Sequence, residues 1–331
     1  MKKLRALLLT WETLLVVLLL ICIVLGSVLS PYFLSGFNFY ALTSNAMEIA
    51  IMALPMTLII IVGEIDLSVA SVLGLASVVL GLLWRDGQPM GLALGVALLV
   101  GLLAGLVNGA LVTRLGLPSL VVTIGSLALF RGLAYVVLGD QAVSNFPVTF
   151  TNLGFGTVAG TEIPWSGVIF AVLAVIAAVV LHFSRQGRQF YAMGQNKEAA
   201  RFAGINVRRA KLVLFALSGL LAALAGIILT ARLSSARPDN GVGLELSVVT
   251  VVLLGGVNIF GGRGSLLGVV LALFILATIQ NILELVNISG DIQNLVIGLL
   301  LILSVLGPNT ARRIQVAIAR RCLAAGSSQQ V

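Results

Sequence analysis

Residues 14–29 read LLVVLLLICIVLGSVL, a stretch with no charge and a single hydroxyl, at Ser27. Extended to 13–30, a helix rising 1.5 Å per residue is about 27 Å long, close to the ~30 Å hydrocarbon core of a bilayer. Lys2, Lys3 and Arg5 precede it, as in a signal peptide. The apolar stretch is long, however, and no small-residue cleavage pattern closes it, so we read it as a retained first span.

Comparable runs recur to the other end of the chain. Spans are expected at about 13–30, 45–63, 67–84, 90–112, 119–138, 164–183, 212–231, 245–261, 265–283 and 292–307. Gly, Pro, Asn and charged clusters separate them. Two joints are very short, Gly63-Glu64-Ile65-Asp66 and Gly261-Gly262-Arg263-Gly264, and leave open a broken or re-entrant helix at either pair. Composition agrees: 59% of the 331 residues are hydrophobic and 10% charged, where a soluble domain carries about 25% charged residues. The expected fold class is all-α, a polytopic membrane helix bundle of about ten transmembrane helices forming one domain over 1–331. A globular soluble enzyme is excluded.

Lys and Arg number 20 against 12 Asp and Glu. With the N-terminus inside, sixteen of the 20 fall on the inner side, including seven between Arg185 and Lys211. Outside fall Arg85, Arg232 and Arg237, while Arg131 lies within the fifth span. Short positively charged loops stay in the cytoplasm, so both termini are expected there, in a multi-pass protein of the bacterial cytoplasmic membrane. The basic charge is therefore topological, and no nucleic-acid partner is expected. Residues 139–163 form an external segment suited to a short interfacial helix or lid; 184–211 form the largest internal loop.

Catalytic chemistry fails by inventory. His182 is the one histidine, and none of Lys2, Lys3, Lys197 and Lys211 follows a glycine, so there is no H-E-x-x-H pair and no phosphate-binding G-x-x-x-x-G-K-[ST] loop. Cys22 and Cys322 are too far apart in sequence and setting to suggest a disulfide framework or metal site. Acids in or near spans are few: Glu48, Glu64 and Asp66. No enzyme activity, cofactor or metal is expected in this chain, and energy for transport must come from a partner.

The internal loop holds Gly194-Gln195-Asn196-Lys197-Glu198-Ala199-Ala200-Arg201-Phe202-Ala203-Gly204-Ile205. Asn196 is a good N-cap, Glu198 sits where the helix dipole favours an anion, and Gly204 suits the left-handed stop. Such a two-turn helix is too short to be stable alone. Ala199, Ala200 and Ala203 offer a small-residue face and Phe202 an anchor, which fits a groove on another protein better than a membrane surface.

This stretch resembles the coupling loop of ATP-binding-cassette importer permeases, with Glu198-Ala199-Ala200 and Gly204 at the matching positions. More of the chain is similar to the ribose/xylose/arabinose-type sugar permeases: Gly63-Glu64-Ile65-Asp66-Leu67-Ser68, Asn108-Gly109, Pro118-Ser119 with Thr123-Ile124-Gly125, Leu254-Gly255-Gly256, and Gly261-Gly262-Arg263-Gly264-Ser265. Glu64 stands where most of that family has glycine. Together with Phe130-Arg131-Gly132 and Gly139-Asp140-Gln141-Ala142, it resembles the rhamnose-uptake branch, with the autoinducer-2 permeases as the alternative. The resemblance implies an ATPase subunit docked on Asn196, Glu198, Ala199, Ala200, Ala203 and Gly204. It also implies a second permease, identical or not, and an extracytoplasmic binding protein that delivers the sugar.

Asn45, Ser71, Asn108, Ser126, Thr250 and Gln280 are the intramembrane polar groups suited to a weakly binding path, though each taken singly is better read as an interhelical hydrogen bond. Gly101 and Gly105 have the spacing of close helix packing. Arg131 needs a partner or water at its depth, and Glu64 and Asp66 are the nearest unassigned acids. A Glu64–Arg131 brace is expected, with Arg131 facing a watery cavity as the other reading. A secondary transporter or channel is the rival class, and it would have no need of the 194–205 helix.

Overall fold

The computed structural model describes residues 11–306. The charges at Lys2, Lys3, Arg5 and Arg312 to Arg321, on which part of the orientation reading rests, lie outside them, as does Cys322. Among the described residues the chain is all helical, with only isolated bridges and no strand. In order the helices are α1 Trp11–Leu29, α2 Gly36–Ile61, α3 Val69–Arg85, α4 Met90–Arg114, α5 Ser119–Leu138, α6 Val148–Phe155, α7 Trp165–Ala178, α8 Arg185–Gln195, α9 Lys197–Phe202, α10 Val207–Leu233, α11 Leu244–Leu254 and α12 Leu266–Leu285. A π-turn, Val179–Phe183, continues α7, and α13, Gly290–Leu306, closes the described chain.

Among the described residues, seven helices are long and apolar enough to cross a membrane: α1, α2, α4, α5, α7 with its π-turn, α10 and α12. Helices α3, α11 and α13 are apolar but shorter. One departure from the sequence-based boundaries is at the eighth run, expected over 245–261. Helix α11 ends at Leu254, eleven residues long, or about 16 Å. The chain stops there because Gly256 takes φ +85° and its amide and that of Val257 bond back to the Leu253 and Val252 carbonyls, a glycine-closed helix end. Residues 234–243, just before α11, are irregular and pack on the bundle through Ala236, Pro238 and Asn240, which are buried.

Irregular backbone at membrane depth requires protein partners for its polar groups. Arg131 supplies them: its Nη1 donates to the Pro238 and Asn240 carbonyls and its Nη2 to the Ala70 carbonyl at 3.0 Å. Asn240 in turn donates to Ser77 Oγ, midway along α3, and to the Ser235 carbonyl. Gly74 makes room for the guanidinium, since a Cβ there would meet Arg131 Nη1.

Helices α2 and α10 occupy the middle, buried over most of their lengths. Helix α2 begins at Gly36, capped by Ser35 Oγ, well before the expected 45. The exposed faces of α1, α5 and α7 are apolar, with Leu14, Val28, Val121, Val136 and Val175 outward, as lipid contact requires. Gly101 and Gly105 let α4 cross α10 at backbone contact: a Cβ on Gly105 would strike the Phe215 carbonyl, and one on Gly101 the Gly219 carbonyl. Gly105→Leu should therefore cost about 1–3 kcal/mol of stability through overpacking, read as a lowered Tm in detergent. Gly95→Leu on the same helix, where nothing lies within 4 Å, should leave Tm unchanged.

Candidate functional site

The sequence segments that carried the resemblance converge at one end of the bundle. Gly63, at φ +80°, ends α2: its amide bonds to the Ile60 carbonyl and that of Glu64 to the Ile59 carbonyl. The joint that follows is a fixed turn. Ile65 is held on both sides by α5, donating to Ser119 Oγ and accepting from Thr123 Oγ1 at 3.3 Å. Asp66, 1% exposed, accepts from the Ser68 amide at 3.0 Å, Ser68 Oγ at 2.6 Å and Ser218 Oγ of α10 at 2.8 Å. Asn108 of α4 donates to Ser68 Oγ at 2.8 Å and accepts from Ser126 Oγ of α5. Three helices, α4, α5 and α10, are thus tied to one turn through a chain of satisfied polar groups, the arrangement that rigidifies a core.

Glu64 pairs with Lys211 near the start of α10, side chains 13% and 6% exposed. The expected Glu64–Arg131 brace is not formed. Ser119, at the start of α5, touches the 63–68 joint, and Arg131 is twelve residues further along, about 18 Å by helix rise. Depth, not sign of charge, separates the two. Arg131 instead serves the Pro238, Asn240 and Ala70 carbonyls, and Asp66 serves hydroxyls.

The second short joint packs on the first. The Gly262 amide donates to the Ile61 carbonyl at 2.8 Å, and Gly261 lies against Gly63 and Gly194. Helix α8 ends on this seam: Gly194 is so close that a Cβ would strike both the Ile61 carbonyl and the Gly262 amide. Tyr191 of α8 donates its hydroxyl to the Gly264 carbonyl at 2.8 Å, and burial pushes its pKa up, which keeps the donor proton in place. Both joints and the internal loop therefore meet in one contact, backbone against backbone at Gly63, Gly194, Gly261 and Gly262.

Helix α9 follows directly. Asn196 Oδ1 accepts from the Ala199 amide, Gly204 takes φ +82°, and Arg201 lies 3.5 Å from Glu198 on the exposed face. Phe202 is 91% exposed. The small-residue face is divided: Ala199 and Ala203 are exposed, but Ala200 is 3% exposed and seats α9 on the chain's own bundle. Ala200 is thus an anchor and not part of an open docking face.

Of the polar groups suggested for a path, Asn108 and Ser126 belong to the buried joint network, while Ser71 and Thr250 bond carbonyls of their own helical turns. Asn45 accepts from Arg232 Nη1 at 2.7 Å, and Gln280 lines a small recess beside Asn45. Lys211, counted by sequence among the loop charges, was the residue missed. Its signal is periodic: Val207, Lys211, Leu214, Phe215 and Ser218 share one buried helical face.

Residues 38–305 match the family described as branched-chain amino acid transport system / permease component. The chain belongs to this permease family. The permease is 37% identical to the autoinducer 2 import system permease protein LsrD of Enterobacter sp. (strain 638), over 90% of this chain and 93% of that one. It is likewise 37% identical to the LsrD protein of Klebsiella pneumoniae, over 90% and 91%, and 36% identical to that of Yersinia enterocolitica, over 80% and 81%. No solved structure matches it. The permease is accordingly a multi-pass membrane protein and a transport component. These relatives favour the autoinducer-2 branch and give no support to rhamnose.

Proposed function

We propose that this permease is the membrane subunit of an ATP-driven importer for autoinducer-2. The observation that carries the reading is α9: a capped six-residue helix, starting just past the seam contact at Gly194, seated by Ala200 and presenting Phe202 to solvent. A helix this short has no stability of its own, and its exposed aromatic fits a groove on a partner. The partner is an ATPase subunit on the cytoplasmic side, which supplies energy the chain has no loop to extract. A second permease and an extracytoplasmic binding protein complete the assembly, with both termini in the cytoplasm. The chain crosses the membrane ten times, α11 doing so jointly with residues 234–243. Relatives that are autoinducer 2 import permeases, 37% identical over 90% of the chain, support this substrate.

Uptake in a strain deleted for this chain tests the substrate. Autoinducer-2 should remain in the medium of the mutant and be removed again on complementation, while rhamnose uptake is unchanged. Loss of rhamnose uptake with autoinducer-2 removal intact would reverse the assignment.

A further inference from the structure

At the end of the bundle opposite the joints lies a cavity of about 430 Å³, within the usual range for small-molecule sites. Residues Asn45 and Glu48 of α2, Arg232 of α10, and Arg237 to Leu244 border it. Its floor is the irregular segment whose Pro238 and Asn240 carbonyls Arg131 holds. Asn45 is sixteen residues from Ile61 along α2, so the cavity is about 24 Å from the joint seam.

The charges of this cavity are internally balanced. Arg232 Nε donates to Glu48 Oε1 at 2.8 Å, with Glu48 1% exposed, and Arg237 pairs with Asp239 at 2.9 Å. The further charge nearby is the Glu284 carboxylate, in the recess next to Asn45 and electrostatically coupled to Arg232, so nothing here favours an anionic ligand. Donors are left over: among the described residues Arg232 Nη2 and Asn45 Nδ2 have no protein partner. Ile49, Leu229 and Leu244 supply apolar wall beside them. Fixed donors, a buried carboxylate and apolar wall together suit a neutral ring whose edge is hydroxyls and whose face is C–H.

From this geometry we infer that the Asn45–Glu48–Arg232 cluster is a subsite for a neutral, polyhydroxylated small molecule, the first protein surface such a ligand meets on entering the permease from the outer side. Arg232 and Asn45 donate to ring or hydroxyl oxygens, and the irregular segment bars the way until the bundle rearranges. The inference rests on the import reading, since it takes the transported molecule as the occupant.

Two readouts keep the two ideas separate. Cys22 and Cys322 are replaced by Ser, and Val242→Cys, on the cavity rim and 65% exposed, is labelled with an impermeant thiol reagent in the assembled importer. The probes are autoinducer-2, rhamnose, ribose and ribose 5-phosphate. At about ten times Kd a neutral probe should slow labelling by about tenfold, the unoccupied fraction being roughly one-eleventh. Ribose 5-phosphate should not protect, Asn45→Ala should abolish protection, and labelling of Tyr32→Cys, 71% exposed and outside the cavity lining, should not respond. Absence of protection by every neutral probe, or equal protection by the phosphate, overturns the subsite whether or not uptake occurs. Uptake of none of the neutral probes by the wild-type importer overturns the import reading, whatever the labelling shows.

Discussion

Gly194→Ala is expected to abolish transport with no change in membrane insertion. The added methyl group has no flexible neighbour to displace: it meets the Ile61 carbonyl and the Gly262 amide, which are bonded to each other across the two joints. Accommodating it means lifting α8 from the seam or parting the joints. Overpacking of this kind costs about 1–3 kcal/mol, roughly a five- to 150-fold effect on the population of the seated arrangement. No lipid-facing side chain changes, so the protein should still reach the membrane at normal level. Uptake and ligand-stimulated ATP hydrolysis in the assembled importer should fall together. Gly125→Ala, with nothing within 4 Å, is the matched control and should behave as wild type. Normal uptake by Gly194→Ala would show that the seam does not transmit anything.

Lys211→Met is expected to be the most destabilising single change at the site. It leaves the Glu64 carboxylate, 13% exposed, without its cation, and breaking a buried pair from one side costs about 3–5 kcal/mol. Domains have only about 5–15 kcal/mol in total, so yield and Tm should drop sharply. The double variant Glu64→Gln, Lys211→Met removes both charges and should recover most of the loss, because much of it comes from the unpaired ion and not from a missing attraction. A double-mutant cycle on Tm measures this directly. Additive losses would mean that the two groups act independently, and a matching cycle on Glu64 and Arg131 should show additivity.

Helix positions were legible because lipid-facing and core-facing helices are alike apolar, and length alone then marks them. The same uniformity hid which face each helix turns inward, so Lys211 passed as a loop charge and Ala200 as part of an open surface. Residues 234–243 were unreadable for another reason. Their burial depends on Arg131, over a hundred residues away in sequence, and no local pattern announces a segment whose carbonyls are satisfied by a distant guanidinium. Gly63-Glu64-Ile65-Asp66-Leu67-Ser68 was recognisable as a motif, yet its partners Ser119, Thr123, Asn108 and Ser218 come from three helices. The capping of α9 by Asn196 and Gly204 was readable, being confined to nine residues of local chemistry.

Coupling through α9 is tested most directly by ATP hydrolysis in the assembled importer carrying Phe202→Ala or Ala203→Trp. Both residues are exposed and neither touches the joints, so the variants should fold, insert and keep their ligand subsite. Docking at this helix predicts that ligand-stimulated ATP hydrolysis and uptake are lost together in both variants. Wild-type stimulation and uptake in the two variants would contradict it.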